Sequence, residues 1–106
     1  ESCSLYITKY MRIGRANDPE EVKKLQIFLN DYMNAGLPVS GFFGALTFNA
    51  VNAFQLKEGS EVLAPWVNAR LHSSVNEPTG YVYKTTLRRV NLIKCVELAI
   101  PMPQLP

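Results

Sequence analysis

A chain of 106 residues, 47% apolar and 19% charged, has material for one hydrophobic core and one domain, and its composition excludes a disordered polypeptide. The formal net charge is only +2, and the basic pairs Lys23-Lys24 and Arg88-Arg89 fit solvated helix faces, so no nucleic acid partner is expected. No apolar run approaches the roughly 18 residues that a membrane-spanning helix needs, which argues against a membrane span.

In chain order, residues 1–17 carry Leu5, Tyr6, Ile7, Tyr10, Met11 and Ile13 at a spacing that admits a short helix or an extended arm. A short helix ending before Gly14 is the expectation. Asn17-Asp18-Pro19-Glu20-Glu21 is the clearest helix start. Asp18 can cap, Pro19 suits the first helical position, and Glu21 completes a capping box at the positive end of the dipole. The helix should run from Pro19 to about Asn34, with Val22, Leu25, Phe28, Leu29, Tyr32 and Met33 as its buried stripe. Ile27 falls on the opposite, polar side. Gly36 is expected to end the helix in the left-handed conformation.

A turn-rich stretch, Leu37 to Gly41, leads to a second helix over about Thr47 to Lys57, with Phe48, Val51 and Phe54 facing inward. The segment Gly41-Phe42-Phe43-Gly44 through Gln55 returns in degenerate form as Gly80-Tyr81-Val82-Tyr83 through Ile93. Gly41 matches Gly80, Phe42 Tyr81, Thr47 Thr86, Val51 Val90 and Asn52 Asn91, which predicts repeated turn-plus-helix units around one core. Leu87, Val90 and Ile93 should be the buried face of the later helix. Between Gly59 and Pro78 the chain is least regular and holds Trp66 and the single histidine, His72; a connection this long is often functional. The alternate prolines after Ile100 predict an extended tail, acting as a linker or a docking strand.

Cys3 and Cys95 lie near opposite ends of the compact region, and an even count permits one disulfide. A bridge would fasten the N-terminal segment to the end of the last helix and place the protein in an oxidising compartment. Catalytic chemistry is not visible. One histidine without a nearby Asp, Glu or Cys cluster does not make a metal site. There is no nucleophile elbow and no phosphate loop. Glu20, Glu21, Glu58, Glu61, Glu77 and Glu97 have capping or surface explanations, so no catalytic residue, no metal and no cofactor is expected.

Three blocks in order, Val22-Lys23-Lys24-Leu25-Gln26-Ile27-Phe28-Leu29, Val39-Ser40-Gly41-Phe42-Phe43-Gly44-Ala45-Leu46-Thr47 and Ala50-Val51-Asn52-Ala53-Phe54-Gln55, resemble the peptidoglycan-binding domain of bacterial cell-wall hydrolases. Gly80-Tyr81-Val82 through Leu92 resembles that family's last turn and helix. The resemblance spans about residues 18–94 and implies an all-α, three-helix bundle. It divides the chain into an arm over 1–17 packed on the domain, a domain over 18–95, and a proline-rich tail or linker over 96–106. It implies a non-catalytic module in the bacterial envelope or outside the cell, attached to the glycan or stem peptide of the wall and tethered to other domains of a parent protein. Two features depart from the pattern: the long Trp66 segment, and the arm with its cysteines.

Within the resemblance, Gly41 and Gly44 make the turn, and Leu25, Phe43, Val51 and Phe54 fill the core. Thr47 is expected to cap the second helix, and Gln26 and Gln55 to satisfy backbone groups near the turns. Sugar-peptide ligands call for flat aromatic surface with amide and hydroxyl groups on a shallow rim. Trp66, Tyr83, Tyr81, Phe42, Asn49 and Arg70 offer that chemistry, with Trp66 and Tyr83 foremost. A different class of function competes: a structural or protein-interaction module that self-assembles into an extracellular layer or filament through Ile27, the arm and the tail.

Overall fold

In the computed structural model, which describes residues 3–106, helix α1 (Pro19–Met33) starts where its capping side chain dictates. Asp18 accepts from the N–H groups of Glu20 and Glu21, satisfying two of the donors that a helix start leaves free. Lys9 donates to Asp18 at 2.9 Å, and that hydrogen bond, with the cap, holds the Asp18 carboxyl below its usual pKa. Glu21 does not close a capping box. Its carboxylate instead accepts from the backbone N–H groups of Thr8 and Lys9, so it serves the N-terminal arm. The helix ends at Asn34, which takes the left-handed position expected of Gly36; Gly36 is left-handed too, two residues further on.

The remaining helices are α2 (Ala45–Lys57), α3 (Gly59–Val62), α4 (Ala64–Asn68) and α5 (Lys84–Lys94), followed by a 3₁₀ turn at Val96–Leu98. Three long helices, α1, α2 and α5, therefore make the bundle, and the stretch read as irregular contains two short ones. Val22, Leu25, Phe28, Leu29, Val51, Phe54 and Val90 are all buried, as the periodicity predicts, while Ile27 is exposed. Short α3 packs against both α2 and α5.

Two buried glutamines explain why the turns before α2 and α5 are built alike. Gln26 accepts from the N–H groups of Ser40 and Gly41 and donates to the Phe42 carbonyl and the Thr47 hydroxyl. Gln55 accepts from Thr79 and Gly80 and donates to the Tyr81 carbonyl and the hydroxyls of Thr79 and Thr86. Each amide thus pairs groups that a tight turn would otherwise bury unpaired. Thr47 does not cap α2. It lies inside the helix, which begins at Ala45, and its hydroxyl is taken by Gln26. The cap position belongs to Gly44, which makes no side-chain cap bond.

Residues 3–17 form an extended arm, not a helix. Asn91 accepts from the N–H groups of Tyr6 and Ile7 and donates to the Ile7 carbonyl, and Met11 makes an antiparallel bridge with Val82. Those partners compete for the same backbone groups that a helix would use, and burial of Ile7 and Met11 at 0% exposure decides the outcome. Asn52, the sequence match of Asn91, has no segment to hold, and its buried Oδ1 has no hydrogen-bond partner. Cys3 and Cys95 form a disulfide, with Cα atoms 6.5 Å apart, which ties the arm to the end of α5. The tail lies along α5, where Arg88 donates to the Ile100 carbonyl and Lys84 to the Gln104 carbonyl.

Glu58, between α2 and α3, ties them to α1 and α5. Its carboxylate accepts from the Tyr32 hydroxyl at 2.6 Å and from Arg89 Nε at 2.7 Å. Burial pushes its pKa up, but those two hydrogen bonds and the charges of Arg89 and Lys57 outweigh it, and the net shift is downward. A lowered folded pKa gives stability that is present above the ordinary carboxylate value and is lost as pH falls through the folded one. Glu58→Gln should therefore cost about 1–3 kcal/mol at neutral pH. The gap to the parent protein should close in acid, because both then carry a neutral group. Urea unfolding of the two proteins at neutral and acidic pH checks this; a gap that does not depend on pH would overturn it.

Candidate functional site

The site begins with the turn that Gln55 holds. Gly80 there has φ of 71°, and a Cβ at this position would run into the Phe48 ring. The following residues are extended, so alternate side chains share a face. Val82 points inward with 0% exposure, while Tyr81 and Tyr83 stand side by side on the outside. Their rings stack with centroids 4.8 Å apart and planes 15° from parallel.

Trp66, on α4, extends this surface. Its ring lies 5.8 Å from that of Tyr83, and Tyr10 of the arm meets Tyr83 edge-on at 4.6 Å. The indole is fixed by a chain of hydrogen bonds: Trp66 Nε1 donates to Thr85 Oγ1 at 2.8 Å, which donates to the Val62 carbonyl at 2.7 Å. Both ends of the indole are therefore accounted for, its polar edge satisfied and its face left beside a cleft. The cleft has a volume of about 270 Å³, with Trp66, Tyr81 and Tyr83 beside Leu63 and Leu71, and Thr79 and His72 as polar groups. His72 Nε2 lies 2.5 Å from the Glu77 carbonyl oxygen. A carbonyl only accepts, so this nitrogen carries the proton and the ring is committed to closing its own loop.

The sequence candidates divide on inspection. Trp66, Tyr81 and Tyr83 come together at the cleft. Phe42 is 73% exposed at the other turn, beside Leu46 and Pro38. Asn49 is exposed on α2, and Arg70 is exposed just after α4 with a left-handed backbone. None of these three lines the cleft. Sequence reasoning missed Tyr10 and the pair Arg12 and Arg15. Arg12 and Arg15 place their guanidinium carbons 5.1 and 5.4 Å from the Tyr81 ring centre. No local signal marks the two arginines, because only the bridge between Met11 and Val82 lays the arm beside Tyr81.

The cleft offers stacking faces, hydroxyls and a fixed imidazole, and no carboxylate lines it. It is suited to holding a ligand with flat apolar faces and polar edges. Among the described residues, the donor atoms of Cys3, Cys95 and Glu97 lie within 4.8 Å of one another. The two sulfurs are bonded to each other there, so neither is a thiolate able to take a metal. No described helix is long and apolar enough to cross a membrane.

The segment from the Asp18 cap through α1, the Gln26 turn, α2 and α3 carries the likeness to a known family. Residues 18–62 match the family described as "Putative peptidoglycan binding domain". No curated protein and no solved structure gives a match to the chain. The peptidoglycan-binding match and the all-helical bundle agree. Trp66, Tyr81 and Tyr83 lie beyond the matched residues, while Gln55 and Val62, which also line the cleft, lie within them.

Proposed function

We propose that this protein is a non-catalytic module that attaches to cell-wall peptidoglycan outside the cytoplasm, using the cleft between α4 and the turn over residues 79–83. The observation that carries this reading is the stacked series Trp66–Tyr83–Tyr81 beside hydroxyl and imidazole groups, on a chain whose residues 18–62 match a peptidoglycan-binding family. Sugar rings present flat C–H faces and polar rims, which is the pattern that such a surface complements. We read residues 18–95 as the binding unit, its two turn-helix halves as copies of one device, and the arm and tail as additions to it. The Trp66 segment forms one wall of the cleft, and the tail is absent from its lining, so neither covers the ligand face. Phe42, Asn49 and Arg70 would touch only a polymer long enough to pass around the domain.

Co-sedimentation with purified peptidoglycan tests the proposal. The oxidised protein should pellet saturably, and Trp66→Ala and Tyr83→Ala should each weaken binding about tenfold, the loss of one stacking face. Thermal unfolding of each variant separates lost contact from lost fold. Light scattering on the same sample addresses self-assembly, for which exposed Phe42 and Leu46 supply apolar surface. Failure of the folded monomer to pellet would reject the wall-binding reading, and large particles without pelleting would replace it with assembly.

A further inference from the structure

The arm carries a second site that the stacked aromatics do not use. Arg12, Ile13, Gly14 and Arg15 form a turn closed by Asn17, whose side chain accepts from Arg12 N–H and donates to the carbonyls of both Arg12 and Arg15. Gly14, at φ of 81°, supplies the left-handed step the turn requires. The backbone of both arginines is thereby fixed. Arg15 Nη1 donates to the Tyr81 hydroxyl at 3.2 Å, and both guanidinium groups pack on the Tyr81 ring.

Two cations held beside one ring repel each other, and an anion between them relieves that repulsion. No described carboxylate pairs with either arginine. Asp18, the nearest acid in sequence, is engaged by Lys9 and by the start of α1. The arginines also open onto a hollow: Arg12, Arg15, Phe48, Thr79, Gly80 and Tyr81 line a cleft of about 610 Å³. Thr79 and Tyr81 line the aromatic cleft as well, so the Tyr81 turn borders both hollows. A guanidinium whose face rests on a ring keeps its N–H edge for a planar acceptor, and carboxylate matches that edge in two-pronged fashion.

The geometry points to Arg12 and Arg15 as a carboxylate-binding site that takes a free carboxylate of the stem peptide while the adjoining saccharide or peptide lies against Trp66, Tyr83 and Tyr81. This rests on the proposed wall-binding role and deepens it. The arm is outside the matched residues 18–62, so this site adds selectivity to the module: amidated stem peptides are bound less well than acidic ones.

Titration calorimetry tests it with a synthetic stem peptide bearing free carboxylates and with the same peptide fully amidated, each against the intact oxidised chain. The parent protein should prefer the acid form about tenfold at low salt, and the preference should shrink as salt screens the exposed charges. Arg12→Gln combined with Arg15→Gln should bind both forms at the amide level. Lys23→Gln combined with Lys57→Gln removes the same charge elsewhere and should keep the preference. Equal affinity of the parent for both peptides, or a preference that survives loss of both arginines, overturns the site. Sedimentation of the parent with whole peptidoglycan separates the two ideas: pelleting without acid preference rejects the arginine site alone. Acid preference without pelleting rejects wall attachment and keeps the site, and neither rejects both.

Discussion

Replacing Gln55 with Leu should cost about 3–5 kcal/mol of stability, close to half of what a domain of this kind has in total. Leucine matches the glutamine in bulk, so the change removes hydrogen bonds and leaves little cavity. Lost are the pairings of the Gly80 N–H, the Tyr81 carbonyl and the Thr86 hydroxyl, at 2.9, 3.0 and 3.1 Å. Gly80 and Thr86 are buried, so water cannot replace the amide there without opening the turn. Each stranded group costs about 1–3 kcal/mol. Gln26→Leu should cost a similar amount, since Gln26 makes the corresponding set of bonds at the other turn. The two variants should then part company. At a temperature where both are folded, Gln26→Leu should keep full binding, because its turn carries Phe42. Gln55→Leu should lose binding, because its turn carries Tyr81 and Tyr83. Circular dichroism melts and sedimentation on the same samples check both halves. A loss below about 1 kcal/mol for either glutamine would mean that the amide is not what fixes the turn.

That pair also shows which parts of the structure could be read from residues alone. The start of α1 was readable because Asp18 satisfies donors two and three residues away. The glutamines were readable through the family resemblance, which sets Gln26 and Gln55 near the two turns. Thr47 was misread as a cap because its partner, Gln26, lies 21 positions back, and only the fold brings it near. The arm was misread for the same reason. The apolar residues from Leu5 to Ile13 are spaced to admit a helix, but the backbone groups of Tyr6 and Ile7 are taken by Asn91, more than 80 positions on. The cleft was half visible. Tyr81, Tyr83 and Trp66 announce themselves as amphipathic rings in turns. Nothing local distinguishes Arg12 and Arg15 from ordinary surface charge until the bridge between Met11 and Val82 lays the arm beside Tyr81.

Breaking the Cys3–Cys95 bridge should remove about 4–5 kcal/mol, because a crosslink between residues 92 positions apart restricts nearly the whole unfolded chain. The native arm should survive the change. Asn91 holds Tyr6 and Ile7, Glu21 holds Thr8 and Lys9, and Val82 pairs with Met11, all without help from the sulfurs. The loss therefore acts mainly on the unfolded ensemble, and the folded protein should keep both its aromatic cleft and its arginine turn. Cys3→Ser combined with Cys95→Ser should accordingly melt well below the oxidised parent, yet bind peptidoglycan equally at low temperature. An unchanged melting temperature would show that the bridge does no stabilising. Lost binding by a still-folded variant would show instead that the bridge positions Arg12 and Arg15. The first expectation fits the proposed placement outside the cytosol: in an oxidising compartment the bond persists, and a small core there gains the stability that its size alone does not supply.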